Sequence, residues 1–249
     1  MKALLLLLSL MLAAPAMAVE TNSPYQAALA NPARSDKDRE RDARDKPAEL
    51  LGLAGIRAGM SVADLFGAGG YWSEILVRVV GAQGAVWLVN NPAYAEFARK
   101  ELDTRFAGER LAAVLRSVVD PADLRLGTGT LDAALLVMSF HDLYYVDAKG
   151  GWPAIDAGGF LDQVRAALKP RGTLLIVDHA AAAGSGSSAA QSLHRIDEQF
   201  TIAQLEAHGF RLEKTYDGLR NPADDRSTLV FDPAIRGRTD RFVHVYRAN

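Results

Sequence analysis

Residues 62–76 read VADLFGAGGYWSEIL. An apolar run over Val62–Phe66, interrupted only by Asp64, breaks into Gly67, Ala68, Gly69 and Gly70, and an amphipathic pattern resumes from Tyr71. The pattern predicts a strand, a glycine turn and the start of a helix. Glycine admits positive φ and close approach of a ligand, and the free amides of a helix N-terminus attract polar or anionic groups. The stretch therefore has the form of a nucleotide-type cofactor site.

Working outward, the flanking sequence repeats strand and helix signals. A helix over Trp72–Val80 stops at Gly81, and a strand follows at Ala85–Val89. Asn91 and Pro92 read as an N-cap and first-turn proline of a helix reaching Phe106. Strands are expected at Leu111–Val119, Leu131–Ser139 and Thr173–Val177, with a helix at Gly159–Leu168 and a turn at Lys169–Gly172. The nearly continuous apolar run at Leu131–Ser139 suits a central strand covered on both faces. Ala180–Ala190 (AAAAGSGSSAA) reads as a flexible lid or linker. Ser192–Ala207 reads as one helix with Thr201 and Gln204 at capping-box spacing, and Phe210–Tyr216 and Arg241–Arg247 as two closing strands. This order predicts an α/β domain with a mostly parallel seven-stranded sheet and helices on both faces.

With 249 residues and 49% hydrophobic content, one well-packed domain suffices. A formal net charge of −2 argues against nucleic acid as a partner, leaving a small-molecule substrate as the expectation. Residues 1–18 carry one lysine, an apolar run and an Ala16-Met17-Ala18 cleavage signature, the pattern of a secretory signal peptide leading to a periplasmic or secreted product. The run is too short for a comfortable membrane span, so no stable membrane anchor is expected. The absence of cysteine excludes disulfides, thiol catalysis and a lipobox. Residues 19–34 read as a flexible or loosely docked arm before a domain over 35–249. The charge-dense stretch from Ser35 reads as a solvated helix restarted at Pro47, with Arg41, Arg44 and Lys46 within reach of the glycine turn.

Two cofactor readings compete for the turn, beside the plain one that the glycines only make it tight. The dinucleotide fingerprint G-x-G-x-x-G needs a third glycine where Trp72 stands and an acid at the end of strand two, where Asn90 and Asn91 stand. An acid before a glycine turn instead resembles motif I of class I S-adenosylmethionine (SAM) dependent methyltransferases. Gly59-Met60, Gly67–Trp72, Asp178-His179, Leu193–Glu198, Ala207–Phe210, Asn221–Asp225 and Phe231–Phe242 together resemble a group of exported bacterial predicted methyltransferases. The resemblance implies a Rossmann-like class I methyltransferase fold with SAM as cofactor. It assigns Asp64, Gly67, Gly69 and Gly70 to the methionine part, Asn90 to the ribose and Asp120 to the adenine amino group. Phe140, with Phe66, Tyr71 and Trp72, would supply apolar cover or an aromatic face to the sulfonium.

In parallel sheets ligands lie at the carboxyl ends of the strands, which gathers His141-Asp142 and Asp178-His179 near the turn. His141 is the expected general base for methyl transfer, with His179 or His194 as alternatives, beside a plain role capping loops. His-Asp pairs with His194 and Asp197 are of metal-ligand type, but neighbours on a strand face opposite ways, so no metal site is expected. The charged run Asp224–Arg226 with Arg236, Arg238, Asp240 and Arg241 reads as a salt-bridged clasp or a surface for an anionic substrate. Because SAM is made in the cytosol, export also keeps open a non-catalytic ligand-binding module on the same fold.

Overall fold

The computed structural model describes residues 23–249. The expected signal peptide and the start of the arm lie outside the described residues. In chain order the elements are α1 (Pro24–Leu29), α2 (Asp36–Asp45), α3 (Pro47–Ala54), β1 (Ser61–Leu65), α4 (Tyr71–Val80), β2 (Ala85–Asn90), α5 (Pro92–Phe97), α6 (Arg99–Arg105), β3 (Val114–Val118), β4 (Leu131–Val137), α7 (Ala157–Ala167), β5 (Leu168–His179), α8 (Ala190–Leu193), α9 (Glu198–Ala207), β6 (Phe210–Thr215) and β7 (Arg241–Ala248). Among the described residues no helix is long and apolar enough to cross a membrane.

The seven strands form one sheet in the order β3-β2-β1-β4-β5-β7-β6. β1 to β5 pair in parallel, whereas β7 runs antiparallel to both β5 and β6, so the sheet is mixed. Successive β1 side chains alternate between the faces: Val62 joins a core with Leu50, Leu51, Ile75 and Leu76, and Ala63 and Leu65 join one with Phe160, Val164 and Leu205. α3 and α4 thus cover one face and α7 and α9 the other. The strand order reverses between β1 and β4, and there the connections at the carboxyl ends diverge and leave a crevice.

Several local expectations change. The arm is docked over its described part: α1 buries Ala28, Tyr25 Oη donates to the Ile56 carbonyl at 2.7 Å, and Arg34 is buried against Asp42. The helix expected from Pro92 to Phe106 is two, broken at Ala98, and the turn at Lys169–Gly172 belongs to β5. Ser192–Ala207 also divides, because His194 takes a left-handed φ of 52°. Asp197, not Thr201, caps α9, accepting from the Gln199 amide at 2.8 Å. Its other oxygen accepts from the Gly184 and Gly186 amides, which pins the stretch read as a lid.

The charged C-terminal run is mainly a clasp. Arg195 is fully buried and donates to both Asp224 oxygens at 2.8 and 3.0 Å, and to the Ala180 and Thr228 carbonyls. Asp224 also accepts from the Asp240 amide, which leads directly into β7. Removing one partner of such a pair strands a buried charge, so Arg195→Met is expected to lower stability by about 3–5 kcal/mol. Urea denaturation measures it, and a loss under about 1 kcal/mol, the scale of a surface pair, would contradict this account.

Candidate functional site

The glycine turn is held by the side chains expected to bind the cofactor. Phe66 and Ala68 take left-handed φ values of 50° and 48°, which side-chain-bearing residues rarely adopt. Asn90 grips the turn at both ends of one residue: Oδ1 accepts from the Ala68 amide and Nδ2 donates to the Ala68 carbonyl, each at 3.0 Å. Asp64 Oδ2 accepts from the Ser73 amide at 2.9 Å and from its hydroxyl at 2.6 Å, tying β1 to the first turn of α4. A Cβ on Gly67 would stand 2.4 Å from the Asp64 carboxylate, so only glycine fits there.

A cavity of about 940 Å³ opens against this turn at the carboxyl ends of β1, β4 and β5. Gly67 and Gly69 line it, as do Phe66, Tyr71 and Trp72. Five expected contacts do not. Asp64 and Asn90 are buried behind the turn, and Gly70, at φ 78°, is the N-cap of α4. Asp120 accepts from the Ala122 amide at 2.8 Å in an exposed turn of its own. Phe140 is fully buried in the core, 5.9 Å from the Tyr144 ring.

α2 covers the cavity with its inner face. Arg105 on α6 bridges Asp38 of α2 and Glu74 of α4, and its Nε donates to the Gly69 carbonyl at 2.7 Å. Tyr71 Oη donates to Asp42 at 2.7 Å beneath the Arg41 guanidinium, and Arg241 pairs with the buried Asp45 at 2.8 Å. The charge run is therefore solvated on one side only. Arg41 and Arg44 face the cavity, as does Arg236 from the C-terminal run, whereas Lys46 does not. Glu101, Tyr94, Trp152 and Phe231 also line it, and sequence reading missed all four. Their signal is weak: Glu101, Tyr94 and Trp152 lie on short helices or loops, and Phe231 opens the Phe231–Phe242 block, which carries a resemblance and no site role.

All three histidines reach the far end of the cavity. His141 lies on a 3₁₀ turn over His141–Tyr144, where Asp142 faces the same way, which removes the strand argument against paired ligands. Asp178 accepts from the His141 amide at 2.9 Å and meets His141 Nδ1 at 2.7 Å. His141 Nε2 and His194 Nδ1 approach Asp142 Oδ1 at 3.3 and 3.5 Å. Burial alone would lower the pKa of His141, but the two carboxylates raise it to about 9. Paired with these carboxylates and with no competing ion, the ring holds its proton more tightly than a free imidazole does. Burial and the neighbouring cations His141, Arg241 and Arg195 hold His179 well below the usual value, and its Nδ1 meets Thr239 Oγ1 at 2.7 Å. Asp197 takes no part in the cluster.

No protein-family model matches the sequence, and no curated protein matches it. Solved structures do match its fold. A SAM-dependent methyltransferase from Aquifex aeolicus, 18% identical, aligns with a TM-score of 0.57 over 86% of this chain and 97% of its own. An arsenic(III) S-adenosylmethionine methyltransferase from Chlamydomonas reinhardtii, 16% identical, gives 0.56 over 90% and 73%. The [4+2]-cyclase SpnF, 15% identical, gives 0.58 over 83% and 81%. The chain thus has a methyltransferase-like α/β fold with a mixed seven-stranded sheet, a fold that also carries an enzyme named for a different reaction.

The position of Asp64 has a measurable consequence. Burial, only partly offset by the Ser73 donors, raises its pKa from 3.8 to about 6. The folded state then holds the proton more tightly than the unfolded chain. The stability linked to this group is complete below pH ~4 and falls as pH rises through ~6, by about 3 kcal/mol in all. Asp64→Asn cannot ionise, so urea denaturation at pH 4 and pH 8 should show the variant gaining on the wild type by about that amount.

Proposed function

We propose that this chain is an exported SAM-dependent methyltransferase acting on a small acceptor. One observation carries the reading: a single cavity reaches from the glycine turn to a histidine cluster at the carboxyl ends of the central strands. Its volume, about 940 Å³, suits a cofactor and a small acceptor together. The leader pattern at residues 1–18 supports export.

The residues present fit the cofactor, although of the glycines and polar residues first assigned to it only Gly67 and Gly69 line the cavity. Gly67 and Gly69 line the cavity without side chains of their own, and the half-exposed Glu101 side chain lies against Gly69. Glu101, half-exposed beside Lys37, presents a carboxylate to an ammonium group and Arg44 a guanidinium group to a carboxylate, whereas Asp38 and Arg41 are paired with Arg105 and Asp45. Tyr94 and Trp152 offer aromatic faces. SAM, when bound, supplies an electrophilic methyl group on a sulfonium. The chain's own work is to align the acceptor with it and exclude water, which accounts for much of the rate in displacement reactions. With Nδ1 engaged by Thr239, Nε2 of His179 is the nitrogen left to meet the acceptor.

A second reading, a non-catalytic ligand-binding module, is favoured by the engagement of Asp64 and Asn90 within the protein itself. Calorimetric titration with SAM and S-adenosylhomocysteine separates the two. The methyltransferase reading expects roughly micromolar binding of both, about −8 kcal/mol. Gly69→Leu puts a side chain where that of the half-exposed Glu101 now stands, and should weaken binding at least about tenfold, about 1.4 kcal/mol, with the fold intact by circular dichroism. A folded sample that binds neither ligand overturns the methyltransferase reading and leaves the binding module.

A further inference from the structure

We propose that His141, Asp142 and His194 form a binding site for a divalent transition-metal ion, with its open coordination positions facing the cavity. One nitrogen from each histidine and one oxygen from Asp142 lie within 4.8 Å of one another. The two nitrogen-to-oxygen separations, 3.3 and 3.5 Å, match the edge of a coordination shell whose bonds are about 2.1 Å long. The third edge, between the two histidine nitrogens, is no longer than 4.8 Å.

The surroundings orient each ligand as metal sites require. Asp178 engages His141 Nδ1 at 2.7 Å, which fixes the ring and directs Nε2 at Asp142. A carboxylate behind a histidine is the usual outer partner of a metal ligand, since it sets the tautomer and raises the basicity of the other nitrogen. Tyr94 Oη donates to the second Asp142 oxygen and leaves Oδ1 for the ion. The His194 ring is held between Tyr145 and Phe231, with centroids 4.6 and 4.9 Å away.

Two imidazoles and one carboxylate select zinc, iron, cobalt or nickel over magnesium and calcium, which take oxygen shells. Three protein ligands leave room for water or an oxygen donor of a small molecule, the arrangement of reactive rather than structural sites. A hydroxyl group bound there would lose its proton to solvent at a lower pH than in water. The site stands apart from the methyltransferase reading, because the ion needs neither SAM nor the glycine turn.

Titration of the purified, untagged chain with Zn²⁺ alone and with Co²⁺ alone, after chelator treatment and without SAM, tests it. The expected result is one equivalent bound, with a cobalt visible spectrum of nitrogen and oxygen ligands. His194→Asn keeps a residue that tolerates the left-handed backbone and should weaken binding by at least about 100-fold. Asp178→Asn, which changes the outer partner and none of the three ligands, should weaken it by about 10–100-fold. Circular dichroism establishes that each variant is folded. A folded wild type that binds neither ion overturns the proposal, and so does binding left unchanged in both variants. Either result leaves the SAM titration unaffected.

Discussion

The site depends on how the chain leaves β1. Within five residues the backbone must turn from a buried strand into a buried helix, and it does so with Phe66, Ala68 and Gly70 all at positive φ. For residues carrying a Cβ this costs of order 1 kcal/mol each and persists only where neighbours over-determine it. Asn90 supplies one constraint by gripping the Ala68 peptide from both sides. Asp64 supplies another by gripping Ser73, and the Phe66 ring a third by stacking on Tyr94 at 5.0 Å. The polar groups nearest the turn therefore serve the turn. Whatever ligand occupies the cavity has to be held by residues that come from further away.

Those residues arrive on a helix with no apolar stripe. α2 is polar all round, and such a helix does not dock by hydrophobic burial. It is held by Arg34 on Asp42, Tyr71 on Asp42, Arg105 on Asp38 and Arg241 on Asp45. Buried or half-buried pairs of this kind contribute modest net stability, because desolvation offsets much of the attraction. The partners come from several separate segments, however, and the set fixes where the helix lies. It closes an open crevice into a cavity lined by both carboxylates and guanidinium groups.

The far end of the cavity follows a different logic. His141, Asp142, Asp178, His179 and His194 come from three separate segments, brought together by the β4–β5 register and by the bridge between Ala180 and Ile196. Their charges are coupled, so each group's protonation reflects its neighbours more than its own type. His141 and His179 have the same side chain and adjacent strand ends, yet one is held above the usual value and the other below it. The difference is whether the ring faces carboxylates or cations.

What the sequence by itself determined is the part governed by local and periodic patterns. The apolar alternation, the Gly67–Gly70 turn, the Asn91–Pro92 cap and the two closing strands specify an α/β sheet and the edge where ligands bind, because neighbours in the chain create these signals. The histidines, too, were legible as residues of that edge. Tertiary structure alone decided what the polar side chains face. Asp64, Asn90 and Asp120 carry suitable chemistry for a cofactor, but hydrogen bonds to Ser73, Ala68 and Ala122 claim them. Arg195 and Asp224 meet across 29 residues of chain, and Arg241 meets Asp45 across 196. No sequence period reports such pairings. A side chain's direction at a strand end or on a 3₁₀ turn depends on which distant group offers the better hydrogen bond or charge.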